Sequence, residues 1–209
     1  MSHRETRRFL DKAIGYCKMH RGSGYNEGSA AMQPVYGTVL FRLGQCQVLA
    51  GEHAKGRESL EEAVVVLGGE TRLLSAIGEG WLRRRFLMLS LHSFLFRPPL
   101  PPPAEVDVFG AARVGAELGA AYECLAQLSM SEKQQWRAAY CAIRALKLGL
   151  QLTTLTPLVA RGYTLLFHVA SSHRWPSWVQ RRYRGKALQT ARQLSSAGQE
   201  AQLLDLYMG

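Results

Sequence analysis

The sequence predicts an all-α chain of about eight or nine helices, built from antiparallel helix pairs stacked as an irregular solenoid. Three observations predict it. Nearly every segment repeats its apolar residues with a period near 3.6, and none sustains the alternation of a half-buried strand. Gly and Pro clusters fall between the periodic segments, where chain reversals belong. Two stretches that begin 82 positions apart, at Leu40 and Tyr122, place large and small residues at the same intervals.

Taken in order, the first helix is expected over Glu5–His20, followed by a flexible loop from Gly22 to Ser29. The next helix is expected from Pro34 to Ala50, with Tyr36, Val39, Leu40, Leu43 and Cys46 on one face. Pro34 suits a first helical turn, where its missing N–H costs nothing. Gly51 stops this helix, and a partner runs from Glu52 to Leu67 with Leu60, Ala63, Val64 and Leu67 inward, ended by Gly68-Gly69. One long helix is expected from Glu70 to Phe96. Five prolines among residues 98–103 then enforce an extended connector. Helix returns from Ala104 to Met130. Ser131 and Gln134 have capping-box spacing for the following helix, whose apolar stripe is Trp136, Ala139, Tyr140, Ile143, Leu146 and Leu150. Thr156-Pro157 starts a helix that reaches Ser172, Trp175-Pro176-Ser177 breaks it, and a basic helix (Trp178–Leu194) and a short one (Gln199–Tyr207) complete the chain. The organisation expected is an N-terminal helix and loop (1–30), a first helical region (31–97), a proline-rich connector (98–104) and a second helical region (105–209).

Composition bounds the rest. The chain has 209 residues, 47% of them hydrophobic, which suffices for a core and argues against a wholly disordered chain. Four cysteines, Cys17, Cys46, Cys124 and Cys141, show no CxxC spacing and read as thiols on helical faces, not as a disulfide framework. No apolar run has the length that spans a bilayer. The N-terminus is charged, without the apolar core of a secretory signal, and Glu5 and Asp11 argue against a transit peptide; the cytoplasm is the expected address. The formal charge is +10, which favours acidic partners. Arg outnumbers Lys 20 to 6, a skew that reads first as coding bias and second as selection for phosphate contact.

The paired stretches carry the main functional expectation. Leu40, Leu43, Gly44, Gly56, Leu60 and Ala63 recur in spacing as Tyr122, Leu125, Ala126, Ala138, Ala142 and Ala145. Small residues let two helix backbones approach, and large ones fill the space toward the next pair. A pair that cannot bury its outer face alone must stack. The spacing resembles the tetratricopeptide repeat, with a degenerate third copy running from Tyr163 through Leu166 to Tyr183 and Ala187. The proline expected after each pair is absent, and the copies are not contiguous. The run from Ala138 to Leu148, together with Leu91-His92 and Tyr122–Ala126, is also similar to the helical repeats that follow the ATPase module in multidomain nucleotidyl cyclases and related regulators, over roughly residues 35–195. Only a regulatory or scaffolding role carries over, because the chain has neither that family's catalytic domain nor a P-loop.

Catalytic chemistry finds no constellation. GxxxxGK[ST] and HExxH are absent, His168 and His173 stand five apart across a helix end, and the aspartates are Asp11, Asp107 and Asp205 alone, near expected termini or loops. The chain is therefore expected to be no enzyme and to need no cofactor or metal. The expected function is a protein- or peptide-binding scaffold, a regulatory part of a larger signalling protein being one form of it. In a tetratricopeptide-type stack, the residues one and five after the large position face the concave side. These are Phe41 and Gln45 in the first copy and Glu123 and Gln127 in the second. The alternative is RNA binding by basic helix faces, through Arg83-Arg84-Arg85 beside Trp81 and Phe86, and through Arg181, Arg182, Arg184 and Lys186 around Tyr183. The apolar stretch Phe86–Phe96 reads as core, or as a surface for self-association or docking of a neighbour.

Overall fold

The computed structural model describes residues 3–22, 26–70, 73–95, 111–152 and 156–196, and among these residues there are eight α-helices, one short 3-10 turn and no strand. The helices are α1 (His3–Gly22), α2 (Asn26–Leu49), α3 (His53–Val66), α4 (Glu79–Leu95), α5 (Ala111–Ser131), α6 (Gln135–Gln151), α7 (Pro157–Ser172) and α8 (Ser177–Ser196). The proline run at 98–103 and the helix expected at Gln199–Tyr207 lie outside the described residues. The chain divides into two compact units, Met1–Ile77 and Gly78–Gly209. The division precedes α4 instead of falling at the prolines, because α4 packs on α6.

In the first unit α2 and α3 form an antiparallel pair, and α1 also packs on α2. Backbones nearly touch where Gly44 meets Gly56: a methyl group on Gly44 would stand 2.7 Å from Leu60 Cγ and 3.1 Å from the Gly56 carbonyl oxygen. Leu40, Leu43, Gly44, Gly56, Leu60 and Ala63 are all buried. In the second unit α5/α6 and α7/α8 pair in the same way, and α6 packs on α7 as well. Tyr122, Leu125, Ala126, Ala138, Ala142 and Ala145 are all buried. A methyl on Gly162 would stand 2.9 Å from Leu146 Cβ, so α6 and α7 are as closely apposed as α2 and α3. Gly119 faces Leu158, which brings α5 against α7.

Three local expectations are corrected. Helix α2 begins at Asn26, so Pro34 lies in its interior and not in its first turn. The missing N–H leaves an upstream carbonyl without its helical donor. Tertiary bonds anchor this turn instead: Gln33 Nε2 donates to the Val66 carbonyl at 3.2 Å, and the Tyr36 hydroxyl donates to Glu62 Oε1 at 2.8 Å. The long helix expected from Glu70 is interrupted, with a 3-10 turn at Leu74–Ala76 before α4. Glu61, 1% exposed, is the cause. Its Oε2 accepts the Ser75 N–H at 2.9 Å and the Ser75 hydroxyl at 2.6 Å, and that N–H is then lost to a continuing helix. Ser131 is not the cap of α6. It closes α5, its hydroxyl donating to the Leu128 carbonyl at 2.7 Å, and Gln134 occupies the N-cap position without a side-chain capping bond.

Candidate functional site

Helices α5 and α7 run in the same direction, because Gly119 meets Leu158 and, one turn later, Glu123 meets Arg161. Heptad spacing puts Arg161, Thr164 and His168 on one face of α7, and Glu123 and Gln127 stand one turn apart on α5. Gln127 and His168 are exposed. Glu123 is 8% exposed, with the Arg161 guanidinium 3.7 Å from its Oε2. Burial raises the Glu123 pKa above the ordinary carboxylate value, and the charge of Arg161 opposes that rise. The Thr164 hydroxyl donates back to the Ala160 carbonyl at 3.0 Å, leaving its methyl on the face. The result is a polar row that starts from one ion pair and continues into an exposed amide and an exposed imidazole.

Glu123 and Gln127 therefore share this row with residues that the sequence reading passed over. The same counting rule, applied to the degenerate copy at Tyr163, selects Thr164 and His168. The spacing therefore holds the signal for both residues. In the first unit, Gln45 is half-buried and accepts from Arg42 Nη1 at 3.2 Å. Phe41 is 2% exposed, with the Arg42 guanidinium 5.1 Å from its ring centroid. A partner cannot reach a ring that deep, so Phe41 belongs to the core of a helix packed by both α1 and α3.

The arginine and aromatic groups form a second feature. Trp81 lies 5.8 Å from Tyr140, Phe86 lies 5.2 Å from Trp175 and 6.3 Å from Trp136, and Trp136 stacks on Trp175 at 6.2 Å. Arg83 and Arg85 place their guanidinium carbons 5.1 Å over Trp136 and 5.6 Å over Trp81. This cluster seats α4. On α8, Tyr183 is buried, whereas Trp178, Arg181, Arg184 and Arg192 face water. From Lys133 to Gln199 the chain has eleven Lys and Arg residues and no Asp or Glu. Within that stretch the Lys147 pKa is lowered, by burial first and by neighbouring Arg144 second. Positive charge is concentrated here more than the overall composition conveys.

Among the described residues no group of three or more His, Cys, Asp or Glu side chains could hold a metal ion, and no helix is long and apolar enough to cross a membrane. No protein-family model matches the chain, and neither the curated proteins nor the solved structures contain a significant match.

Proposed function

We propose that the chain is a non-catalytic, tetratricopeptide-like scaffold that binds a segment of another protein along the face shared by α5 and α7. The observation that carries this reading is the parallel placement of the two helices with Gln127 and His168 exposed beside the Glu123–Arg161 pair. The exposed amide of Gln127 and imidazole of His168 are suited to hydrogen-bonding an extended or helical backbone, with the buried Glu123–Arg161 pair beside them. The resemblance to ATPase-coupled nucleotidyl cyclases adds a regulatory role within a larger signalling assembly. The test is affinity purification with the wild-type chain and with Gln127→Ala. The variant loses its partner while its unfolding free energy stays within about 0.5 kcal/mol of wild type, as expected of an exposed side chain. An unchanged set of captured partners removes the assignment.

RNA binding is the second reading, favoured by the acid-free stretch and by the arginines beside exposed Trp81 and Trp178. It predicts that affinity for a single-stranded RNA falls steeply between low and physiological salt, as neutralised phosphates release their counterions. Salt-independent or absent binding in a filter assay excludes it.

A further inference from the structure

Helix α4 is apolar on two faces. Leu82 and Phe86 turn inward and are buried, Phe86 against the Trp136 and Trp175 rings. On another side, Leu87, Met88 and Leu91 are 51%, 60% and 55% exposed, and their spacing puts them within one patch. Leu87 and Met88, together with Gly80, Arg83 and Arg84, line a shallow open depression on the surface of this one helix. A methyl group on Gly80 would meet nothing within 4 Å, so the N-terminal end of the depression is clear. A helix apolar on both sides belongs in an interior, and the outward patch is a second interface without its mate among the described residues.

Charge decides what fits. Arg83, Arg84 and Arg85 are consecutive and exposed, with Glu79 the one acid in the helix. Arg83 is held in place over Trp136 at 5.1 Å, and Arg84 lines the depression beside it. A second copy paired through this face would leave the arginines without carboxylates, since Glu79 is the one acid of the helix. Single-stranded nucleic acid would answer the arginines but would set no ring against Leu87, Met88 and Leu91, which offer no stacking face. A membrane-surface helix spreads its cations along the length of its apolar stripe, whereas these are bunched in one turn at the N-terminal end. An amphipathic helix with acidic residues at one end satisfies both halves: its apolar ridge covers Leu87, Met88 and Leu91, and its carboxylates reach Arg83 and Arg84.

We propose that this outer face of α4 is a docking face for an acidic amphipathic helix of a partner protein. The proposal rests on the protein-binding reading above but uses a different surface from the α5–α7 row. It is tested on the full chain by fluorescence anisotropy. The probe is a labelled helical peptide of ~15–20 residues, with leucines at helical spacing and glutamates at one end, set against the same peptide with lysine for each glutamate. The acidic peptide is expected to bind at least about tenfold more tightly than the lysine peptide. Met88→Glu, at an exposed position that does not endanger the fold, weakens it at least about tenfold, and Arg84→Glu reverses the preference between the peptides. Equal or absent binding of the two peptides, or no effect of Met88→Glu, overturns the proposal. So does self-association of the wild-type chain, or binding to anionic vesicles or oligouridine, that Met88→Glu abolishes while peptide binding persists. Peptide binding lost in Gln127→Ala but retained in Met88→Glu also overturns it, leaving the protein-binding reading in place.

Discussion

At the ends of α2 and α3 in the first unit, the chain reverses through Gly51 and Gly68, with φ of +80° and +82°. At the ends of α5 and α7 in the second, it reverses through Lys133 and Arg174, with φ of +60° and +52°. The four stops share one hydrogen-bond pattern. Glu52 N–H reaches the Gln47 carbonyl, Gly69 N–H the Val64 carbonyl, Gln134 N–H the Ser129 carbonyl and Trp175 N–H the Ala170 carbonyl, all at 2.8–2.9 Å. Each spans five residues and closes a Schellman turn. The first unit meets the left-handed conformation with the residue that adopts it freely. The second imposes it on long cationic side chains, at about 1–2 kcal/mol each. The cations regain part of that cost near the carbonyl end of the helix dipole. The units also differ in their buried acids. Glu61 is held by Ser75, whereas Glu123 faces Arg161. Residues 1–77 carry 10 Lys+Arg and 8 Asp+Glu, and residues 78–209 carry 16 and 8. One packing scheme thus tolerates different chemistry at its turns and buried acids as long as its helix crossings stay close.

Four substitutions sharpen or break this comparison. The largest effect belongs to the shared feature. Gly162→Val forces α6 and α7 apart, since even its Cβ would stand 3.0 Å from Leu146 Cα. It should cost ~2–3 kcal/mol in urea unfolding followed by tryptophan fluorescence, which reports the second unit because Trp81, Trp136, Trp175 and Trp178 all lie there. A neutral result would mean that close apposition is not what holds the second unit. Next come the stops. Gly68→Ala should lose about 1 kcal/mol, whereas Lys133→Gly should gain about 0.5–1 kcal/mol. A loss on Lys133→Gly would show that the lysine side chain contributes more than its backbone strain takes away. The smallest effect concerns Glu123. Because its folded pKa is raised, its contribution to stability is complete below the ordinary value of 4.5 and declines as pH rises through the folded value. Glu123→Gln lacks that decline and should be slightly more stable than wild type near neutral pH, with the difference vanishing in acid. Melting temperatures across that range check it, and a variant less stable at neutral pH would show that the Arg161 pair outweighs burial.

The helices and their pairing were legible because the small residues that permit close crossing, Gly44 and Gly56, Ala126 and Ala138, are also the ones that stand out in the pattern. The stops at Gly51 and Gly68 were legible for the same reason: their conformation demands a particular residue. Lys133 and Arg174 were not, since a left-handed lysine or arginine is imposed by the packing of the next helix and leaves no trace in composition. The break before α4 was hidden because it depends on a carboxylate fourteen positions upstream, Glu61, capturing Ser75. Phe41 was misplaced as a surface group because counting within a repeat says nothing about a preceding helix, α1, that packs on the same element. His168 and Thr164 were within reach of the counting rule and were missed by not extending it to the third copy.

The seating of α4 has a consequence during synthesis. Its aromatic anchors Tyr140 and Trp175 follow Trp81 and Phe86 by about 60 and about 90 positions, so a nascent chain exposes Leu82 and Phe86 for roughly 3–18 s before their cover leaves the ribosome. Among the described helices that precede it, α1, α2 and α3 pack on neighbours adjacent in sequence, whereas α4 waits for α6. Chaperone capture and any aggregation on overexpression should therefore begin at residues 82–91.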